Sequence, residues 1–468
     1  MRFTKFGKAL LMGALSLGVV FGVTSCVQSY SVGYLFVTGT VTASSGNNGI
    51  ITGYNIDHNT GQLYKINGLP ISSGGSNPVR AVLTTASRYV YVLNRGVDAT
   101  GDGQCTTANP CQNSNITQFA VGANGILTAQ QTFYTQGVNP FRLIMDASGN
   151  FLMVLDHDAP DSATYAGHAP TTANSCMKAL GASVTSCGDI TVFQIDQSTG
   201  RLSTVVNAQV TAANGSQLTF FPVPANPVDL AMTGSYVLTL VGSPTATVTS
   251  FPYTNGTSIW PYAYASSNGQ LTLSQNSAQL LTTTSGPVTG GTALVNTPSN
   301  FYVLDNQPIS TNFNGTATNS QSQILPYSVG TGGLLSAATS GVIPDDPNLA
   351  NPTYALIEAK NKYIYVANQG NNTTGTNPQS GIAGYTVYTS PSYQLQFIPE
   401  EPFGSGSGPQ CIVEDPSDQY VFEANQFDSS ITGRTLDPNT GDLNPMRGAE
   451  TYTLPGPPTW CFIDGRTG

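Results

Sequence analysis

Residues 57–63 read DHNTGQL, residues 196–202 read DQSTGRL and residues 437–443 read DPNTGDL. Each phrase is a complete hairpin instruction. The aspartate can accept backbone N–H groups within a turn, a polar pair fills the bend, and glycine supplies a positive φ. The leucine then starts the next strand. One copy would mark a hairpin. Three copies hundreds of residues apart mark a repeat.

Working outward, the phrase sits in a fixed order with three others. A β-branched and aromatic run recurs as YLFVTG at 34, YVYVLN at 89, FLMVLD at 151, YVLTLV at 236, FYVLDN at 301, YIYVAN at 363 and YVFEAN at 420. A strand such as ITGYNID, ITQFAV, ITVFQID or ITGRTLD leads into the turn. A proline-led strand recurs as NPVRAVL, NPFRLIM, NPVDLAM, NPTYALI, GPQCIVE and PPTWCFI. Four short strands per unit and seven units predict an all-β, seven-bladed β-propeller of four-stranded blades spanning 34–468. The unit at about 236–290 fits worst. The chain starts on a YLFVTG strand with no proline strand before it and ends on PTWCFID, so the C-terminal strand is expected to complete the first blade and close the ring.

Composition agrees with this and excludes other classes. Of the 468 residues only 9% are charged, against about a quarter in an ordinary soluble domain. With 15 Lys and Arg and a net charge of −10 there is no basic face for nucleic acid. Arg2, Lys5 and Lys8 precede an apolar run at 9–23, and VTSC ends at Cys26. This pattern predicts a signal peptide over 1–25 and a short tether over 26–33. VTSC resembles a bacterial lipobox, which implies a lipid on Cys26, a membrane partner, and a place in the bacterial cell envelope. Residue 27 is Val rather than Asp, so outer membrane or cell surface is expected. Six further cysteines in an exported chain suggest disulfides. Cys105–Cys111 and Cys176–Cys187 each close a short polar stretch. Cys411 and Cys461 are left to each other by elimination, a pairing the sequence leaves open.

The YVAN and YVLN strand ends and the D-x-x-TG-x-L turns resemble the bacterial lactonase family, which includes 6-phosphogluconolactonase-like enzymes, and also the YVTN repeats of surface propellers. That resemblance implies a propeller without a redox cofactor and, in the enzymatic members, a Pro-His-x-His-like stretch on an innermost strand. Here Val79 and Phe141 stand at the first of those positions and Ala81 and Leu143 at the second.

Chemistry is therefore sought where the repeats stop agreeing. The second residue after each proline gives Arg80, Arg142, Asp229, Tyr354, Cys411 and Trp460. These should converge on one channel mouth with the second-strand ends Asn94, Arg95, Asp156, His157, Asp305, Asn306, Asn368, Gln369, Asn425 and Gln426. Arg80 and Arg142 could hold an anion or a developing oxyanion, or pair with aspartates between blades. Asp156, His157 or Asp229 could act on water as a general base. The acids and histidines of Asp156–His168 match no metal spacing, and no cofactor is expected. Two functions follow: an envelope propeller binding a carbohydrate, peptide or protein, which the missing family histidines favour, and a lactone hydrolase.

Overall fold

A computed structural model describes residues 30–43, 46–84, 88–97, 110–162, 174–212, 214–243, 256–297, 300–313, 316–339, 341–370, 379–388 and 392–465. Residues 1–29, with Cys26, lie outside this set, as do Cys105 and His168. No described helix is long and apolar enough to cross a membrane.

Seven four-stranded antiparallel blades surround one axis. Their innermost strands are Pro458–Asp464, Pro78–Leu83, Val138–Met145, Pro227–Thr233, Gly291–Asn296, Pro352–Ile357 and Pro409–Glu414 for blades 1 to 7. Each touches the next around the ring. The fifth, GTALVN, has no proline, which is why the proline phrase counts only six. Closure occurs as the termini predict. Pro458–Asp464 pairs with Ser31–Ala43, with Val37 opposite Cys461 and Tyr34 opposite Asp464. Cys411 on blade 7 is bonded to Cys461 on blade 1, their Cα atoms 5.9 Å apart, so a covalent staple crosses the joint. Cys176 and Cys187 are also bonded and close the loop that carries a short helix, Ser175–Leu180. The pairing of Cys105 lies outside the described residues.

The turn phrases do more than reverse the chain. Asp57 Oδ1 accepts from Asn59 N, Thr60 N and Thr60 Oγ1, and Gly61 has φ 70°. Asp196 and Gly200 repeat the arrangement. Each turn glycine also lies flat on an aromatic ring of the preceding blade. A Cβ on Gly61 would meet the Tyr420 ring, one on Gly200 the Tyr89 ring, and one on Gly441 the Tyr363 ring. Tyr91 Oη donates to Gly200 O and Tyr365 Oη to Gly441 O, both at 2.6 Å. The two most repeated phrases therefore recur together because they touch each other across every such blade junction.

The proline phrase also has a local cause. Asn77, Asn139, Asn226 and Asn351 precede the prolines with φ between 50° and 62°, a left-handed conformation that Asn tolerates better than most residues. The pairing register then slips by one residue in each blade, for example between Pro78 and Arg80 and between Pro227 and Asp229. A bulge of this kind re-aims the side chain that follows it. It occurs at the same place in all seven blades, and in blades 1, 2, 3, 4 and 6 it turns the second residue after the proline into the channel at one level.

Replacing Tyr365 with Phe leaves the buried Gly441 carbonyl without its donor and should destabilise the fold by about 1–3 kcal/mol. The expected readout is a lower thermal midpoint with unchanged circular dichroism at room temperature. An unchanged midpoint would show that the turn contact does not hold the blades.

Candidate active site at the channel mouth

The level set by the bulges forms a belt across the channel. Arg142 Nε donates to Asp229 Oδ1 at 2.8 Å, linking blades 3 and 4. Asp229 Oδ2 accepts from Leu294 N at 2.7 Å, which extends the link to blade 5. The Arg80 guanidinium lies 3.7 Å above the Trp460 ring centroid. Tyr354 meets the same ring edge-on at 4.8 Å, and Trp460 Nε1 donates to Ala81 O at 3.1 Å. Five of the six residues named from the sequence thus meet here; the sixth, Cys411, is in the staple beside it.

Arg80 and Arg142 border two cavities. Above the belt, a mouth cavity of about 430 Å³ is bounded by Arg80, Arg95, Arg142, His157, Gln410 and Gln426, with Asn226 and Thr459 completing its polar wall. Below it, a channel cavity of about 600 Å³ runs along the innermost strands. Three of the chain's nine arginines border the mouth, and among the described residues no carboxylate does, in a protein of net charge −10. Burial, reinforced by the Arg142 charge, pulls the Arg80 guanidinium down to about 9, so it remains cationic at neutral pH. Burial and Arg142 pull Arg95 down as well. Three guanidiniums at one mouth, with Asp229 engaged by Arg142, create a field that favours an incoming anion or oxyanion.

His157 enters from the end of the second strand of blade 3, Phe151–Asp158. Its Nδ1 is 3.1 Å from Asp158 Oδ2, and Asp158 is buried while the His157 side chain is 32% exposed. A carboxylate acceptor places the proton on Nδ1 and leaves Nε2 as the basic nitrogen. Asn139 Nδ2, at 3.3 Å, donates to the same Asp158 oxygen and fixes its orientation. On the opposite wall, Asn351 donates to Gln369 Oε1, and Gln369 and Gln410 both donate to Gln426 Oε1. This ladder fixes the amide orientations and turns the Gln426 NH₂ group outward as a donor.

Asp156 is not brought to the mouth. It is fully buried, borders neither cavity, and is paired across the blade with the equally buried Asp189. Thr191 Oγ1 lies between the two carboxyls, 3.4 and 3.3 Å away. Its position, opposite Pro140, is the one filled by Asn94, Asp305, Asn368 and Asn425 opposite Pro78, Gly291, Pro352 and Pro409 in other blades. The reason is the two-residue period of a strand, which sends His157 one way and Asp156 the other. Burial raises both carboxyls well above the usual range, and the charge of Asp156 raises Asp189 further. Among the described residues no His, Cys, Asp and Glu cluster has the form of a metal site.

The sequence reading named Gln426 as a second-strand end and omitted Asp158, Gln410 and Asp189 from the site. Asp158 had a signal, since it follows His157 directly. Gln410 had none, because it is one among many polar residues until the ring is closed.

Raised carboxyls make a signed prediction. A carboxyl whose folded value lies above its unfolded value stabilises the fold while protonated, and that stability is lost as pH rises through the window between the two. The thermal midpoint should therefore fall from the ordinary carboxylate range upward, and Asp189→Asn should flatten the fall. A midpoint in Asp189→Asn that keeps the full wild-type slope would show that the pair ionises freely.

The profile described as Lactonase, 7-bladed beta-propeller matches residues 47–173 and 318–457, leaving out the stretch with the least regular blades. No curated protein sequence matches the chain significantly. Among solved structures, the fold is similar to the periplasmic gluconolactonase of Pseudomonas aeruginosa, at 15% identity and TM-score 0.59 over 92% of this chain and 99% of that one. It is also similar to a 6-phosphogluconolactonase candidate of Bacteroides uniformis, at 13% identity and TM-score 0.58 over 92% and 100%. A counterpart from Bacteroides fragilis matches at 14% identity and TM-score 0.58 over 92% and 98%. At these identities the likeness is one of fold. With the profile covering more than half of its length, and the seven blades and their closing strand in place, the chain belongs to the lactonase family of seven-bladed β-propellers.

Proposed function

We propose that the chain hydrolyses a lactone at the channel mouth. The observation that carries this reading is the His157–Asp158 pair at the edge of a cavity bordered by three arginines. Water would lose its proton to His157 Nε2 as its oxygen bonds to the lactone carbonyl carbon. The oxyanion formed would lie against Arg142 and Arg80. Arg142 Nη2 is without a partner among the described residues, because only Nε and Nη1 are engaged. When the tetrahedral adduct collapses, the ring C–O bond breaks and the alkoxide takes the proton back from His157. Asp158 holds the imidazole tautomer throughout.

The family histidines missing from the innermost strands made binding the first expectation from sequence. His157 reaches the same cavity from a second strand and gives the hydrolytic reading a base. Gluconolactonase and 6-phosphogluconolactonase descriptions of proteins with this fold support the reaction class.

In a lactone-hydrolysis screen, His157→Ala should lower kcat/KM by about 10²–10⁴-fold, the range for loss of a positioned base. Arg142→Ala should lower it by about 10²–10³-fold, as expected when an oxyanion donor is removed. Asp158→Asn should cost about tenfold or more through the wrong tautomer. Turnover that survives His157→Ala unchanged would remove the mechanism, and no turnover with any lactone would return the protein to the binding class.

We further propose that the protein is exported and lipid-anchored through Cys26 to the outer membrane or cell surface, as VTSC implies. Labelled palmitate should enter the wild-type protein in cells and not the Cys26→Ala variant. Equal labelling of both would refute the anchor.

A further inference from the structure

The cavity below the arginine belt differs in kind from the mouth. Below the belt its side-chain lining is mainly aliphatic, with Val82 and Leu83 from blade 2, Ile144 and Met145 from blade 3, Met232 from blade 4 and Ile357 from blade 6, and with Asn296 of blade 5 as a polar member. At about 600 Å³ it falls within the range of small-molecule sites. From Arg80 to Leu83 the strand advances three residues, which makes the aliphatic section about 10 Å long. Met145 and Met232 are the unbranched side chains that adapt best to an irregular hydrocarbon surface.

The charged end of this cavity is unbalanced. Asp229 is already engaged by Arg142 and by Leu294 N. Arg80 makes no ion pair among the described residues; its contacts are the Trp460 face and a 3.4 Å bond to Val79 O. A guanidinium set against an indole and a mainly aliphatic channel is short of acceptors, and the one carboxylate near it, Asp229, is bonded to Arg142. Its fork geometry suits a carboxylate.

We propose that the lower channel is a second binding site, for a medium-chain aliphatic carboxylate. The carboxylate pairs with Arg80 at the belt, and the alkyl tail lies among Val82, Ile144, Met232 and Ile357 toward the far face. This site is on the opposite side of the belt from the His157–Asp158 pair and shares Arg80 with the proposed hydrolytic site, but it does not need the His157 base.

Trp460 reports directly on it. The chain has two tryptophans, and the other, Trp260, is buried within blade 4. In the full-length Trp260→Phe chain, titration with octanoate should give a saturable change in Trp460 emission. Binding should be at least about tenfold tighter than for acetate, because each buried methylene adds to the affinity. Octanol, which lacks the charge, should also bind at least about tenfold more weakly. Met232→Glu should weaken octanoate by about tenfold or more, and Met232→Phe, which narrows the channel without charge, should do the same. Both should leave the thermal midpoint of a well-folded chain recognisable. If Trp260→Phe fails to fold, calorimetric titration of the unaltered chain gives the same comparison. Absence of saturable binding, equal binding of acetate and octanoate, equal binding of octanol and octanoate, or indifference to both Met232 changes would each overturn the proposal. His157→Ala should bind octanoate like the parent, which separates this result from the hydrolysis test.

Discussion

The strand Pro458–Asp464 closes the ring, and the rest of the molecule depends on that pairing. Without it, Ser31–Ala43 would present an open edge, and the propeller would have one unsealed joint between blades 7 and 1. The staple between Cys411 and Cys461 crosses that joint. The strand also carries Trp460, on which the Arg80 guanidinium rests. Closure and site assembly are therefore one event. The side chain that organises the belt is delivered by the last strand of the chain to the first blade.

Between closure and site lies a second constraint, the fixed tilt of each blade on its neighbour. A glycine turn seated on the preceding blade's aromatic ring allows closer approach than any side chain would. The tyrosine hydroxyl then satisfies a carbonyl that the contact would otherwise bury unpaired. Where the phrase degrades, the contact changes form and is not lost. Gly269 sits on Phe151, and Gly333 on Pro261 and Ser274. In blade 6 the turn has Tyr393 with φ 45°, and Tyr302 Oη still donates to its carbonyl at 3.3 Å. The irregular blades keep the interface by substituting partners, which explains how sequence repeats can fade while the ring remains.

The belt shows how a repeat architecture makes a site from differences. Of seven equivalent bulges, five turn a side chain into the channel at one level, and the chain fills those positions unequally. Blades 2 and 3 supply arginine, blade 4 an aspartate, blade 6 a tyrosine and blade 1 a tryptophan. Arg142 and Asp229 neutralise each other on adjacent blades, while Arg80 is left to an aromatic face. The outcome is a positive mouth with an ordered histidine on one side of the belt and an aliphatic channel on the other.

Much of this was legible in the sequence, for a physical reason. Turn chemistry, two-residue alternation and the Asn-Pro start are local rules, so blade number, closure and the second position after proline could be read directly. Arg80, Arg142, Asp229, Tyr354 and Trp460 were found that way. Innermost strand Gly291–Asn296 was missed because it uses glycine where the others use proline. Asp156 was placed in the site as the end of its second strand, yet adjacent strand residues face opposite sides, and only packing tells which side is the cavity. Gln426 was legible by the same rule, whereas Gln410 had no local mark at all. The sequence by itself determined the repeat, the ring and the level at which chemistry sits, because these follow from backbone conformation within a few residues. Only the tertiary structure decided which charges pair, which line the cavities and which carboxyls are buried side by side, because those depend on distances between strands and blades that no single stretch of the chain contains.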